Sequence, residues 1–358
     1  MRLLLGLITP LIAYALITAL HVLIPARKTV GYVLDEATGA TAHYRINGKF
    51  VLVTSILVWV LLGVFNVVPF DWLYSTRWFG LAGACIIGLA YTTYVTRRYP
   101  PTGRGVLSDI WFGRAQDPQL RGGLIDAKVW LYLIGAVMLQ LIVLSSAAYH
   151  LQNADTVNPG FLIGCAMLTW FCFDYLIFEK VHLWTYDFIA ERVGFKLGFG
   201  CLAFYPYFYA VPLLFTASLP NPGYAAWLAT LAVVVFLAGW VLTRGANLQK
   251  YFFKTAPSRK FLWIQPKALS DDQHQLLVSG YWGLSRHINY LGETLQAVAT
   301  VLAVGYPGVW VQWLYPAYYV ALFLTRQADD DRICAAKYGQ LWDKYTAQVK
   351  YKIIPFVY

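Results

Sequence analysis

Three stretches of the sequence place residues capable of chemistry at spacings that bring them side by side. The first is ANLQKYFFK at 246–254. Asn247, Lys250 and Lys254 stand at i, i+3 and i+7, so a helix continuing through them sets all three on one face, where two ammonium groups suit a phosphate. A helix end whose lysines snorkel toward water accounts for the same spacing. The second is LLVSGYWGLSRHINYLGE at 276–293, where a Gly-Tyr-Trp-Gly turn precedes Arg286, His287, Asn289 and Tyr290. Arg, His and Asn at the mouth of an apolar helix are costly unless satisfied, so this stretch reads as a ligand site. Trp282 can stack on a flat ring, and Asn289 offers an amide both a donor and an acceptor. The third is TRQADDDRICAAKYGQLWDKY at 325–345, in which Arg326 and Asp330 are four apart and can meet on one helix face. Its run Asp329, Asp330 and Asp331 also suits a plain boundary charge.

Acids and hydroxyls recur upstream. Glu179 and Asp187 flank a loop in FEKVHLWTYDFIAERVGF at 178–195, and FYPYFY at 204–209 supplies Tyr205, Tyr207 and Tyr209. Buried tyrosines ordinarily pack and find one hydrogen bond; one at a cavity wall can instead donate a proton. There is no GxGxxG after a strand, no P-loop and no GxSxG. The six histidines lack metal-ligand spacing and the five cysteines form no CxxC, so no metal is expected and the thiols read as packing residues.

The elements that must position these residues lie in a membrane. Of 358 residues, 59% are hydrophobic and 13% charged, against about 25% charged in a soluble domain. Mean hydropathy is +0.52. Disorder, a fibrous repeat and an ordinary cytosolic globule are excluded. The aromatic share of 17% suits interfacial belts and a cavity for a large flat apolar ligand. Nine segments qualify as spans: 3–24, 50–69, 78–96, 129–149, 161–178, 195–217, 224–243, 291–305 and 308–325. The first is too long for a signal-peptide core and no small-x-small cleavage site follows it. The last two, broken by Gly305 and Pro307, read as a tight hairpin or a tilted pair.

The loops then set the orientation. With the segment after the first span inside, 25 of the 28 Lys and Arg residues fall on the inner side; only Arg2, Arg77 and Lys196 do not. This bias predicts an outside N-terminus and a cytoplasmic C-terminus. It also assigns the net charge of +10 to membrane topology rather than to nucleic acid. Topology does not call for the aromatic and amide content of the two long inner segments, 244–290 and 326–358. The chain reads as one membrane domain, 1–358, with no soluble domain attached. Gly-rich GLAGACIIG at 80–88 reads as close helix packing. The polar stretch 25–49 predicts a β-hairpin or ordered loop, with turn signals at Glu36–Gly39 and Asn47–Gly48.

At these segments the sequence resembles the sterol reductase family, which includes delta-14 sterol reductase, 7-dehydrocholesterol reductase, delta-24(28) sterol reductase and the lamin B receptor membrane domain. SGYWGLSRHINYLGE is similar to SGWWGxxRHxNYxGD, and CAAKYGQLWDKYTAQVKYKIIPFVY to CxxKYGxxWxxYxxxVPYRIIPGIY. LIPARKTVGYVLDEATGATAHYRINGK resembles LPGxxVxGY…LxYRxNG, IWFGRAQDPQLRGGLIDAKVW resembles FxGxxLNPRxGxxDxK, and FEKVHLWTYDF with ERVGFKLGFG resembles NExxxxTxxDI with GFGFxLxFG. The match runs from about residue 23 to the end and is strongest over 246–358. The family's usual first helix, before the LPGxxV segment, has no counterpart here, in keeping with nine spans.

The resemblance implies an all-α polytopic fold of nine to ten helices, with a sterol-side bundle over 1–243 and a cytoplasm-facing NADPH pocket over 244–358. It implies reduction of a carbon–carbon double bond in a sterol from the surrounding lipid, the delta-14 bond first and delta-7 or delta-24 behind it. On this likeness Lys250 contacts the cofactor phosphates. Lys254 stands where the family has Arg, keeping charge without the bidentate fork. Leu277, Trp282, Asn289 and the adjoining Tyr290 match cofactor-pocket positions. Arg326 and Asp330 match HRxxRDE, with Thr325 and Asp329 replacing its His and second Arg. Cys334 and Tyr338 belong to the CxxKYG motif. Tyr209 matches the Tyr of PFxY. Cys201 stands where relatives often carry Asp, Glu293 replaces the Asp of NYxGD, and Lys350 and Phe356 replace a Pro and a Gly.

An isolated ring alkene has no carbonyl to polarise it, so a proton must arrive before hydride or with it. That requires a positioned acid in a dry pocket. The expectation is that Tyr209, linked to Asp330 or Glu179, delivers the proton, while NADPH supplies the hydride. Arg326 would hold the acid or the diphosphate, and Lys250, Lys254 and Arg259 would read the 2′-phosphate. Two other readings remain. A membrane S-adenosylmethionine-dependent methyltransferase of the isoprenylcysteine or phospholipid type shares an RHPxY-like stretch, but this chain reads RHINY and carries NLQK. A non-catalytic sterol-binding homologue is the other. A bacterial inner membrane or the endoplasmic reticulum would house the chain.

Overall fold

The computed structural model describes residues 1–34, 39, 41–120, 122–223 and 225–358. Of the predicted turn Glu36–Gly39 only Gly39 is among them, and Arg121 and Tyr224 also lie outside the described residues. The chain is mostly helical and divides into two compact units, Met1–Pro222 and Gly223–Tyr358. The sequence division at 243/244 falls inside one continuous helix of the second unit.

The first unit holds helices α1 (Arg2–Leu23), α2 (Gly48–Val64), α3 (Arg77–Arg98), α4 (Ala127–Asn153) and α5 (Pro159–Ile177). Strands β1 (Arg27–Leu34) and β2 (Thr41–Ile46) pair antiparallel between α1 and α2, as the polar stretch predicts. Among the described residues α1, α3, α4, α5 and the later helix Ala226–Thr255 are long and apolar enough to cross a membrane; α2 is a shorter apolar helix.

α4 is the centre of this unit, buried along most of its length. Asp126 caps it, accepting from the Lys128 and Val129 amides at 3.0 and 2.9 Å. Lys128 is fully buried yet satisfied: its ammonium donates to the Phe188 carbonyl at 2.9 Å and lies 3.3 Å from Asp117. The Tyr44 hydroxyl donates to Asp117 at 3.0 Å. One buried charge cluster thus ties Tyr44 of β2, Asp117 and the short helix Tyr186–Ile189 to the start of α4.

Two expectations change. Asn47–Gly48 is not a hairpin turn but the start of α2. The Asn47 amide donates to the carbonyls of His21 and Ile24 at 3.0 and 2.9 Å, and its oxygen meets His21 Nδ1 at 2.6 Å, clasping the end of α1. The span 195–217 is not one helix. It breaks into Phe195–Phe199, a π-turn Gly200–Phe204, Tyr205–Phe208 and Val211–Leu214. Pro206 brings no N–H, so the Leu202 carbonyl lacks its helical donor, and the Tyr14 hydroxyl of α1 donates to it instead.

The second unit holds α6 (Ala226–Thr255), a short β-hairpin of β3 (Ala268–Ser270) and β4 (Gln275–Leu277), α7 (Ile288–Ala303), α8 (Leu314–Tyr338) and α9 (Gln340–Gln348). α6 and α7 cross closely through paired glycines. A Cβ on Gly292 would fall on the Gly239 carbonyl oxygen and on Thr243. A 3-10 turn, Trp310–Trp313, leads into α8, which runs unbroken past the predicted span end at 325. Arg326, Asp330, Cys334 and Tyr338 therefore ride on one rod. The Gly-rich 80–88 stretch packs as expected, with Gly83 against the Leu7 backbone of α1.

Candidate functional site

The second unit gathers most of the predicted site residues at the ends of α6, α7 and α8. Arg244, Asn247 and Gln249 are buried on α6. Gln249 holds the Gly-Tyr-Trp-Gly turn from both sides: its oxygen accepts the Tyr281 amide at 3.0 Å and its nitrogen donates to the Ser279 carbonyl at 3.1 Å. Trp282 is fixed in turn. Its indole N–H donates to the Ala246 carbonyl at 2.8 Å, and the Lys250 ammonium lies 5.1 Å above its ring. Leu277 is buried at the end of β4.

The approach to α7 is pinned through its backbone. The amides of Arg286 and His287 donate to the carbonyls of Tyr351 and Lys352 at 2.9 and 2.8 Å, and the Ser285 hydroxyl donates to the Ile353 carbonyl at 2.9 Å. His287 then stacks flat on Tyr290, with centroids 4.9 Å apart, and Tyr290 on Phe323 of α8, 4.4 Å apart. His287 Nε2 lies 3.8 Å from Asp330. Burial, with Lys250 and Arg286 close by, holds its pKa down at about 3, so the ring is neutral and this contact is not an ion pair. Arg286 does form one, its Nη1 donating to Asp331 at 3.2 Å.

Burial raises the pKa of Asp330, although Lys250 opposes the rise. Burial, helped by Asp330, pushes the Cys334 thiol up to about 12, so it stays protonated and is no nucleophile. Cys334 and Tyr338 pack against the buried Trp342–Tyr345–Val349 cluster. Lys250 and Lys337 both lie close enough to Lys254 to repel its charge. That arrangement calls for anionic company. Among the described residues Arg286 Nε, His287 Nε2 and Asn289 Oδ1 are buried here without a hydrogen-bond partner. Buried polar atoms in a folded protein are normally satisfied, which sets these three apart.

Tyr209 and Glu179 belong to the first unit. Tyr209 packs on Tyr205 and Phe171, with centroids 4.7 and 6.1 Å apart. Glu179 lies beside a small cavity lined by Tyr132, Tyr175, His182 and Phe188, and accepts the Gly48 amide at 2.8 Å. Burial pushes its pKa up to about 7. Sequence reasoning missed Arg244, Gln249, Gln327 and Tyr358. Gln249 lies inside the quoted NLQK motif and Arg244 just before it, so both were within reach; the other two meet each other across 31 residues of chain.

The chain is similar to known proteins over most of its length. A sequence model described as the ergosterol biosynthesis ERG4/ERG24 family matches residues 7–358. The chain is 31% identical over 354 residues to Delta(14)-sterol reductase of Arabidopsis thaliana, covering 94% of this chain and 91% of the plant protein. It is 30% identical to Delta(14)-sterol reductase of Methylotuvimicrobium alcaliphilum, covering 95% and 80%. It is 32% identical to Delta(14)-sterol reductase TM7SF2 of Mus musculus, covering 94% and 82%.

Proposed function

The chain belongs to the ergosterol biosynthesis ERG4/ERG24 family, and from that premise we propose that it reduces a carbon–carbon double bond in a sterol with NADPH, the delta-14 bond being the first choice. The observation that carries this reading is the buried polar set of the second unit, where Arg286 Nε, His287 Nε2 and Asn289 Oδ1 await partners among aromatic faces and lysines. The residues suit the dinucleotide. Lys250 and Lys254 would hold phosphate, Trp282 would take a flat ring on its face, and Asn289 would accept from an amide. NADPH, when bound, would supply the hydride.

The protein's own part is to bind, keep dry and protonate. A tertiary centre accepts hydride only as a proton reaches the neighbouring carbon, so an acid must be held in an apolar site. Tyr209, set among Tyr205 and Phe171, is our choice of donor. Asp330, whose burial favours the protonated form, or Glu179 would return the proton. Arg326 would hold the acid or the cofactor diphosphate. The relatives named above are sterol reductases, so the methyltransferase reading is not favoured. We read nine membrane crossings, with the N-terminus outside and the C-terminus in the cytoplasm, in a bacterial inner membrane or the endoplasmic reticulum.

The test uses purified protein in detergent. It is expected to bind NADPH more tightly than NADH and to ignore S-adenosylmethionine. With a delta-14 sterol it should oxidise NADPH and give a product two hydrogens heavier. Tyr209→Phe should keep NADPH affinity and lose turnover by roughly a hundred-fold or more. No affinity for NADPH would sink the proposal, binding without turnover would make the chain a non-catalytic homologue, and near-wild-type turnover of the variant would remove Tyr209 from the role.

A further inference from the structure

Arg286 is gripped twice by the same distant segment. Its backbone amide, with that of His287, is held by the carbonyls of Tyr351 and Lys352. Its guanidinium is reached by a longer route. Asp331 accepts from Arg286 Nη1 with Oδ1 at 3.2 Å, and from the Gln327 amide with Oδ2 at 2.5 Å. The Gln327 oxygen accepts from the Tyr358 hydroxyl at 3.2 Å. Gln327 is buried, so its amide has no water to exchange with. Tyr358 is itself folded back: its main-chain oxygen accepts the amides of Lys352, Ile353 and Ile354 at 2.8, 2.9 and 3.1 Å. Its ring also lies under the Lys352 ammonium, 5.0 Å away.

The direction of donation along this line is determined. A phenol that donates to Gln327 selects the amide orientation with oxygen toward Tyr358 and nitrogen toward Asp331. The flipped amide would aim its oxygen at a carboxylate. With Gln327 fixed, one Asp331 oxygen is engaged and the other faces Arg286. That leaves Arg286 Nε turned toward buried space with no partner among the described residues.

We propose that Tyr358 is a positioning residue for Arg286, acting through Gln327 and Asp331 to present the guanidinium to an anionic or carbonyl group of the bound dinucleotide. What Arg286 holds rests on the sterol reductase reading; the relay itself does not.

Tyr358→Phe keeps the ring and removes only the hydroxyl. In protein without cofactor, phenylglyoxal modification of Arg286, followed by peptide mass spectrometry, should speed up about five-fold, the worth of one ordinary hydrogen bond. KM for NADPH should rise by a similar factor with kcat unchanged. In a Gln327→Leu background the same substitution should change neither. An Arg286 modification rate equal to wild type, or an undiminished effect of Tyr358→Phe in the Gln327→Leu protein, overturns the relay. A lowered thermal midpoint with all arginines modified faster would show general loosening and overturn it too. If wild type has no affinity for NADPH, the functional reading fails, and the modification arm still decides on the relay.

Discussion

Glu179 shows what burial does to one carboxyl. It faces the Gly48 amide of α2, and its pKa is pushed from 4.5 to about 7 by desolvation, with the amide pulling the other way. The folded chain therefore keeps a proton that the unfolded chain has released. Stability from this group is full below about pH 4.5 and is lost as pH rises through about 7. Glu179→Gln keeps an oxygen for the Gly48 amide and has no proton to lose. Thermal unfolding midpoints across that window should fall with pH for wild type relative to the variant; parallel curves would show that Glu179 ionises freely. Candidate site residues such as His287 and Asn289 stood out in the sequence because polar groups crowd the mouth of an apolar helix. Tyr358 and Gln327 were not, because no spacing rule links residues whose only relation is tertiary contact.

At the scale of elements, the crossing of α6 and α7 sets the site's frame. Thr243 of α6 donates to the Asn289 carbonyl at 3.0 Å, one turn from where Gly292 meets Gly239. Gly292→Ala would put a methyl group onto backbone, and backbone cannot move aside cheaply. It should cost about 1–3 kcal/mol, read as a lower thermal midpoint, and should weaken NADPH binding as Asn289 shifts. A variant as stable and as avid as wild type would show that the two helices pack less closely. The hairpin, the long spans and the close packing of 80–88 were readable from a polar stretch with turn residues, hydropathy and small residues. The break at 195–217 was written in Pro206 and Pro212, yet hydropathy averages over prolines and pointed to one continuous helix. The Asn47 clasp was hidden for a related reason: Asn-Gly signals a turn only when both flanking segments are strands.

For the molecule as a whole, charge and oil are sorted along the chain. Nearly all lysines and arginines fall in alternate segments between the sequence-read spans, and the proposed orientation rests on that. In a bacterial host a fluorescent protein fused after Tyr358 should glow and alkaline phosphatase fused there should be inactive; the reverse outcome would invert the topology. The two units also divide the candidate roles, with Tyr209 and Glu179 in Met1–Pro222 and every predicted cofactor residue in Gly223–Tyr358. The strap on Arg286 and His287 has a consequence for biosynthesis. Ser285 and the carbonyl it binds are 68 residues apart in the chain. While a ribosome is still translating that interval, the peptide groups before α7 have no mates, and the newborn bundle must wait in the lipid with the entry to α7 unlaced.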